Sequence, residues 1–223
     1  MCCGTTQEVQ RPEPADRGMI MIRKRTFAVC LGLLTAMLSA CGQVKGPDTI
    51  DKPTLVITET GKVTAYLVGE LDKDYYELAE LEAMALEEAA EFNRLHPLDG
   101  GEMVTLESVE ALEEGGTGVV VSFGFENAQA YTEYTGQPLF FGSPEEGLKE
   151  AGDGLPVLKN VKDGTEATQE SLMAQGGKLI AVGAGTVVYC PYRVTHVSQG
   201  AVLNADGSVD ALGAEGTVYI LMR

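Results

Sequence analysis

The feature that most constrains the fold is a short apolar run, residues 27–38, which follows the basic residues Arg23, Lys24 and Arg25. The run has 12 residues, whereas a helix needs roughly 20 to cross the hydrocarbon core of a bilayer. A basic flank, a short apolar stretch and then small residues are the layout of a cleaved signal peptide. We therefore predict that residues 19–40 direct export, with a permanent transmembrane helix as the less favoured alternative.

The four residues that close this segment, Leu38, Ser39, Ala40 and Cys41, resemble the lipobox of bacterial lipoproteins. The resemblance implies that the chain is cut before Cys41, whose thiol then carries lipid such as palmitate. Two acyl chains of about 15 methylenes would contribute about 24 kcal/mol to the anchor. The domain is then held on the extracytoplasmic side of the cell membrane. An ordinary secretory signal with an incidental cysteine is the alternative, and the pattern does not distinguish a Gram-positive surface from an outer membrane.

These signals divide the chain into parts. Residues 1–18 resemble neither a signal peptide nor a folded element, so they are either an extension or the result of a start placed too early. Residues 1–40 are excluded from the fold as a precursor segment. Residues 41–52 contain Gly and Pro without periodicity and predict a spacer behind the lipidated cysteine. We expect residues 53–223 to form a single α+β domain.

The composition is that of an acidic globular protein. The 223 residues include 33 Asp+Glu against 16 Lys+Arg, which gives a formal charge of −17. Such a surface repels nucleic-acid phosphates, so we predict no nucleic-acid partner. After cleavage only Cys41 and Cys190 remain, and a chain with 44% hydrophobic residues has enough core to fold without disulfides. We expect Cys190 to be a buried strand residue rather than a reactive thiol.

Apolar residues recur at steps of three and four between Leu78 and Leu95. This spacing predicts a long amphipathic helix that is capped by Asp72 and ends before Pro97. The opposite face carries glutamates, which we interpret as a solvated surface. The predicted fold class is α+β, with this helix packed on a mixed or antiparallel sheet.

Short strands and helices account for the rest of the domain. Alternating or apolar runs predict two hairpins, 54–58 with 62–68 and 103–110 with 119–125. Shorter helices are predicted at 127–134, 144–151 and 168–175, with a strand at 139–141 between the first two. The C-terminal part after Lys178 is strand-rich, and its short turns predict antiparallel pairing of successive strands. Its predicted strands are 179–182, 186–189, 193–198 and 217–222, with a hairpin around 204–207.

The sequence contains no motif to which we assign catalysis, a cofactor or a metal. His96 and His196 are far apart, and neither lies in a metal-ligand spacing. We expect His96 to cap a helix and His196 to be a surface or sheet residue. Residues 72–74 resemble a helix cap more than a calcium loop, and residues 204–208 resemble a turn more than a calcium loop. Six tyrosines are interpreted as packing residues rather than as a stacking surface: Tyr75, Tyr76, Tyr131, Tyr134, Tyr189 and Tyr192.

These observations predict a membrane-anchored extracytoplasmic lipoprotein that acts as a ligand- or protein-binding module at the cell envelope. Its membrane partner is reached through the N-terminal lipid, and its ligand is not specified by the residues. Two alternatives stay open. One is a lipid-tethered hydrolase, which needs two converging carboxylates, one of them with a raised pKa. The other is a transport-associated solute-binding component, for which the domain is short.

Replacing Cys41 with serine is expected to abolish fatty-acid incorporation, because the thioether to the diacylglyceryl group requires the thiol. Cells producing the chain are fed an alkyne-tagged fatty acid, and the tag is measured on the purified protein. The matched control is Cys190→Ser, which removes a thiol outside the motif and is expected to keep the label. A wild-type chain without label contradicts the lipoprotein prediction.

Overall fold

The computed structural model describes residues 46–223 apart from 48, 72–76, 114 and 153. The predicted signal peptide, the lipobox and Cys41 lie outside these residues. Within the described part, the chain forms four helices and thirteen strands, and the strands make two sheets. The fold is therefore a strand-rich mixture of α and β structure, which agrees with the predicted class at that level.

Local capping residues explain where the helices begin. Helix α2 (Ala128–Thr135) is capped by the Asn127 side chain, which accepts a hydrogen bond from the Ala130 N–H at 2.9 Å. Helix α3 (Pro144–Ala151), which the sequence predicts at 144–151, begins with a capping box between Ser143 and Glu146. None of the helices in the described part of the chain is long and apolar enough to cross a membrane. The helices are α1 (Leu78–Leu95), α2 (Ala128–Thr135), α3 (Pro144–Ala151) and α4 (Gln169–Gln175).

Seven strands form the first sheet and six form the second. The strands are β1 (Thr54–Ile57), β2 (Val63–Glu70), β3 (Val104–Ala111), β4 (Gly118–Phe125), β5 (Leu139–Gly142), β6 (Leu158–Asn160), β7 (Glu166–Ala167), β8 (Lys178–Gly183), β9 (Val187–Tyr189), β10 (Val194–Ser198), β11 (Val202–Leu203), β12 (Val209–Asp210) and β13 (Thr217–Met222). The first sheet has the order β11-β12-β9-β1-β2-β4-β3, and the second has the order β5-β8-β13-β10-β6-β7. The first sheet is mixed, because β1 and β9 run parallel, whereas all pairs in the second are antiparallel.

The predicted hairpins β1–β2, β3–β4 and β11–β12 are confirmed. The prediction that successive strands pair is wrong for β8, β9 and β10. Strand β8 pairs with β5 and β13, β9 pairs with β1 and β12, and β10 pairs with β6 and β13. The chain changes sheet twice here, from the second sheet to the first between β8 and β9, and back to the second between β9 and β10. Each change lets the next strand bury its apolar face in the core between the sheets. The β6–β7 hairpin was not predicted, since strands of two or three residues carry no periodic signal.

Strands β8 and β13 show how the core is divided. Ile180 and Ile220 lie opposite each other, are fully buried and enter the core that both sheets share. Side chains alternate along a strand, so Leu179 and Leu221 point to the other face of the second sheet. There they form a second buried cluster with Leu172 of α4. Each such side chain contributes about 1.5–3 kcal/mol by leaving water.

Helix α1 does not show the predicted apolar face. It begins at Leu78, and the predicted cap Asp72 lies outside the described residues. Its buried residues are Ala85 and Ala89, which pack in the shared core beside β3. Two alanines let the helix backbone approach the strand closely, so the larger apolar residues lie at the margins of the contact. Three of them are more than half exposed: Met84 (67%), Leu86 (52%) and Leu95 (59%).

Replacing Gly147 with alanine is expected to destabilise the domain by about 1–3 kcal/mol. Alanine normally stabilises a helix interior by about 1 kcal/mol relative to glycine. Here the new Cβ would collide with Cδ2 of Leu179, a fully buried residue, and would lie 3.0 Å from Cε1 of Phe140. Urea unfolding measures the difference, with the exposed Glu150→Ala on the same helix as the control. A gain of stability in Gly147→Ala contradicts the close approach of α3 to β8.

Candidate functional site

Two adjoining cavities lie where β6, β9, β10 and β13 end. The cavity that we call the basic cavity measures about 340 Å³ and includes Asn160, Lys162, Arg193, Thr195, His196 and Arg223 in its lining. The cavity that we call the tyrosine cavity measures about 440 Å³ and includes Tyr189, Cys190, Tyr192, Leu203 and Asp206. Both are also lined by Val161 and Val194, and Lys162 and Arg193 belong to both. A ligand bound in one cavity can therefore extend into the other.

The sheet places Arg193 and Arg223 directly opposite each other. The Arg193 N–H donates to the Arg223 carbonyl at 3.1 Å, and the Arg223 N–H donates to the Arg193 carbonyl at 2.9 Å. The two side chains of such an antiparallel pair point to the same face of the sheet. The Arg223 guanidinium also donates to the carbonyl of Gln175 at the end of α4. Both guanidinium groups thus lie on the α4 side of the second sheet.

A β-bulge in β10 brings His196 to the same face as Arg193. Val194 lies opposite Met222, but His196 lies opposite Leu221, so β10 contains one extra residue. In a regular strand positions 193 and 196 would face opposite sides of the sheet. The bulge reverses that alternation and adds His196 to the lining of the basic cavity.

Hydrogen bonds determine which nitrogen of His196 carries the proton. The Thr195 hydroxyl donates its single proton to the Leu221 carbonyl at 3.1 Å, so it can only accept from His196 Nδ1, 3.1 Å away. Nδ1 is therefore protonated and Nε2 is an acceptor without a hydrogen-bond partner among the described residues. Burial lowers the pKa of His196, against the smaller opposing effect of Asp163, so the ring is neutral at pH 7.

The charge of the basic cavity is opposite to that of the chain. Three cations, Lys162, Arg193 and Arg223, line it, and none of its described lining residues is acidic. None of the three forms an ion pair with another described residue. Other cations of the described chain do form such pairs: Lys62 with Glu126, Arg94 with Glu91, and Lys159 with Glu166. The lining of the basic cavity therefore carries a net positive charge that favours an anion, and Asp163, which interacts with His196, is an acid close to it.

The tyrosine cavity has a different character. The Tyr189 hydroxyl donates to Asp206 Oδ2 at 2.9 Å. Hydrogen bonds from Ser208 to Asp206 lower the pKa of this carboxyl, which keeps it ionised. The cavity thus combines aromatic rings with Asp206 and with the two cations that it shares with the basic cavity, Lys162 and Arg193. Its lining is therefore less positive than that of the basic cavity.

Cys190 lines the tyrosine cavity, where burial disfavours its thiolate form. It follows the last residue of β9 instead of lying within the strand, and it is partly buried. Burial raises the pKa of its thiol to about 12. The prediction of an inert cysteine agrees with this environment, whereas its predicted position inside a strand is wrong.

The other singled-out residues lie away from these cavities. His96 follows α1, stacks on Phe92 with ring centroids 4.2 Å apart, and places Nδ1 3.3 Å from Glu133 Oε2. His196 is in a strand as predicted, but it is 4% exposed rather than a surface residue. Tyr131 and Tyr134 pack in the shared core, as expected. Tyr189 and Tyr192 line a cavity, and Tyr75 and Tyr76 lie outside the described residues.

A separate cleft of about 330 Å³ on the first sheet contains acidic side chains. It is lined by Glu102, Glu107 and Glu126. The Glu107 carboxylate lies over Gly124, where a Cβ would be only 2.7 Å from Oε1. Burial raises the pKa of Glu107. Glu126, however, is bound to Lys62 at 2.7 Å, so one of the three acids is already neutralised.

Sequence reasoning did not single out Lys162, Arg193 or Arg223. The signal that could have found them is the small number of basic residues in an acidic chain. In such a chain, a cation without an acidic partner indicates a candidate site. No sequence pattern, however, indicates that residues 193 and 223 lie opposite each other. Among the described residues, no group of three His, Cys, Asp or Glu side chains is arranged to hold a metal ion. No known protein family, curated protein or solved structure matches this chain.

The environment of Cys190 predicts very slow reaction with maleimide in the folded protein at pH 8. With a pKa of about 12, the thiolate fraction is on the order of 10⁻⁴, against about a quarter for an unperturbed thiol. We expect labelling of the Cys190 peptide, measured by mass spectrometry, to be at least about 100-fold slower than in urea-unfolded protein. Equal rates in the two states contradict the burial of this thiol.

Proposed function

We propose that this protein is a membrane-anchored extracytoplasmic lipoprotein whose domain binds a small anionic ligand at the cell envelope. The anchoring part is supported by the resemblance of residues 38–41 to a lipobox. The binding part is supported by one observation above all: an acidic chain gathers three unpaired cations around a cavity with no described acidic lining.

Electrostatics favour a binding role over a structural one for these cations. Lys162, Arg193 and Arg223 are all exposed, so they repel one another only weakly through water. Grouping them nevertheless gains no ion pair with a described residue, although acidic partners are plentiful elsewhere in the chain. A bound anion removes this repulsion, which is the arrangement expected of a ligand site.

Cavity size favours a small molecule over a protein partner. Ligand sites in proteins measure about 300–1,000 Å³ and combine apolar walls with a few placed polar groups. Both cavities have this size, and the tyrosine cavity supplies most of the apolar walls while the basic cavity supplies most of the polar groups. A transport-associated solute-binding component would use the same cavities and would differ only in the proteins with which it works.

The hydrolase alternative is supported by Glu107, whose pKa is raised by burial in a cleft. Such a mechanism also needs a second carboxylate that is free to act on the substrate. Glu126 in the same cleft is bound to Lys62, and Glu102 is exposed. The acidic cleft therefore supports hydrolysis less well than the basic cavity supports binding.

Arg193→Gln is expected to weaken anion binding by about 10–100-fold, the equivalent of losing a charged hydrogen bond of about 1.5–3 kcal/mol. The full chain in detergent is titrated by calorimetry with three probes: benzoate, phenyl sulfate and phenyl phosphate. At least one is expected to bind with one-to-one stoichiometry.

The matched control is Arg94→Gln, which makes the same change of charge on the exposed surface of α1. It is expected to leave the dissociation constant within about twofold, since surface charges this far from a site act weakly at physiological salt. Binding of none of the three probes, or an equal loss in both variants, contradicts the proposed binding role.

A further inference from the structure

We propose that the ligand is a phosphate monoester on a hydroxyl-bearing ring, with the phosphate in the basic cavity and the ring in the tyrosine cavity. This assignment rests on the proposed function and narrows its ligand to one chemical class, of which sugar phosphates are the simplest members. Charge, hydrogen-bond polarity and cavity shape each contribute one part of it.

The number of cations selects the anionic group. A carboxylate or a sulfate ester carries one charge, which leaves most of the field of Lys162, Arg193 and Arg223 uncompensated. A phosphate monoester carries about −1.5 to −2 charges at pH 7 and presents three acceptor oxygens. Arg193 and Arg223, whose main chains are paired, each carry a guanidinium group that can donate to these oxygens, and Lys162 adds a point charge. The basic cavity thus matches a phosphate monoester better than it matches a monoanion.

The acceptors in the two cavities require that the ligand also donates hydrogen bonds. His196 Nδ1 is held by Thr195, so Nε2 is the ring atom left to accept from a ligand. In the tyrosine cavity the ionised Asp206 accepts from Tyr189 and has further acceptor capacity. A purely anionic or apolar ligand would leave these acceptors without donors, whereas ring hydroxyl groups satisfy them.

The difference in charge between the cavities orients the ligand. The basic cavity is lined by Lys162, Arg193 and Arg223, whereas the tyrosine cavity shares Lys162 and Arg193 and also contains the ionised Asp206. The basic cavity is therefore the more positive of the two, so the charged end of the ligand lies there and its neutral ring extends toward Asp206. The ring of Tyr192, which lines the tyrosine cavity, offers apolar surface against which a sugar ring packs.

The test compares ligands that differ in one property at a time, titrated into the full chain in detergent. The probes are glucose 6-phosphate, glucose 6-sulfate, cyclohexylmethyl phosphate and glucose. Glucose 6-phosphate is expected to bind at least about 10-fold more tightly than each of the others. Glucose 6-sulfate lacks one charge, cyclohexylmethyl phosphate lacks the hydroxyl groups, and glucose lacks the phosphate. The assignment is overturned if glucose 6-sulfate or cyclohexylmethyl phosphate binds as tightly as glucose 6-phosphate.

A variant of the protein tests whether the charge of Lys162 causes the preference for phosphate over sulfate. Lys162 is exposed, so Lys162→Gln is expected to fold normally and to reduce the preference for phosphate over sulfate by about 10-fold. The matched control Lys149→Gln on α3 is expected to leave that preference unchanged. A preference that survives in Lys162→Gln overturns the charge argument.

Two outcomes distinguish this assignment from the proposed function. If benzoate or phenyl sulfate binds in an Arg193-dependent manner while glucose 6-phosphate shows no advantage, the anion site stands and the phosphate assignment falls. Short-chain phosphatidylinositol 4-phosphate carries the same monoester on a hydroxyl-bearing ring. Tighter binding of this lipid than of glucose 6-phosphate assigns the group to a lipid headgroup, and weaker binding assigns it to a soluble ester.

Discussion

The pairing of β13 with both β8 and β10 is the interaction on which the rest of the domain depends. Through this strand Ile220 enters the core shared by the two sheets, and Leu221 enters the cluster beneath α4. The same pairing extends beyond the strand to Arg223, whose main chain exchanges two hydrogen bonds with Arg193. Burial on both faces therefore positions the charged residues at the end of the sheet. The cavities lie at the surface where these buried strands end.

The site combines rigid main-chain geometry with a local irregularity. The bulge at residues 194–196 interrupts the ladder between β10 and β13 and turns His196 toward the α4 side. Bulges of this kind commonly redirect a side chain near a binding site. The hydrogen bonds from His196 to Thr195 and from Thr195 to Leu221 then hold the imidazole in one tautomer. Its accepting nitrogen is thus set by the backbone of the sheet rather than by solvent.

Charge distribution separates the two ends of the candidate ligand site. Most of the domain is acidic, and its cations are frequently neutralised by glutamates, as in the pair of Lys62 and Glu126. The basic cavity departs from this pattern, and the adjoining tyrosine cavity is less positive because it contains Asp206 beside the shared Lys162 and Arg193. A lipid anchor would keep such a site near the outer face of the membrane, where the long-range field of an acidic domain repels bulk anions and the cavity attracts them at short range.

The sequence by itself determined the features that depend on neighbouring residues. These are the short helices near residues 127–134 and 144–151, the turn at residues 204–207 and the first two hairpins, because each follows from local conformational preferences and short loops. The export signal and lipobox are also local patterns, and they stay predictions. Only the tertiary structure decided that β8, β9 and β10 change sheets, that α1 packs through two alanines, and that Arg193 lies opposite Arg223. Those outcomes depend on which distant strands bury each other's apolar faces, and no local pattern carries that information.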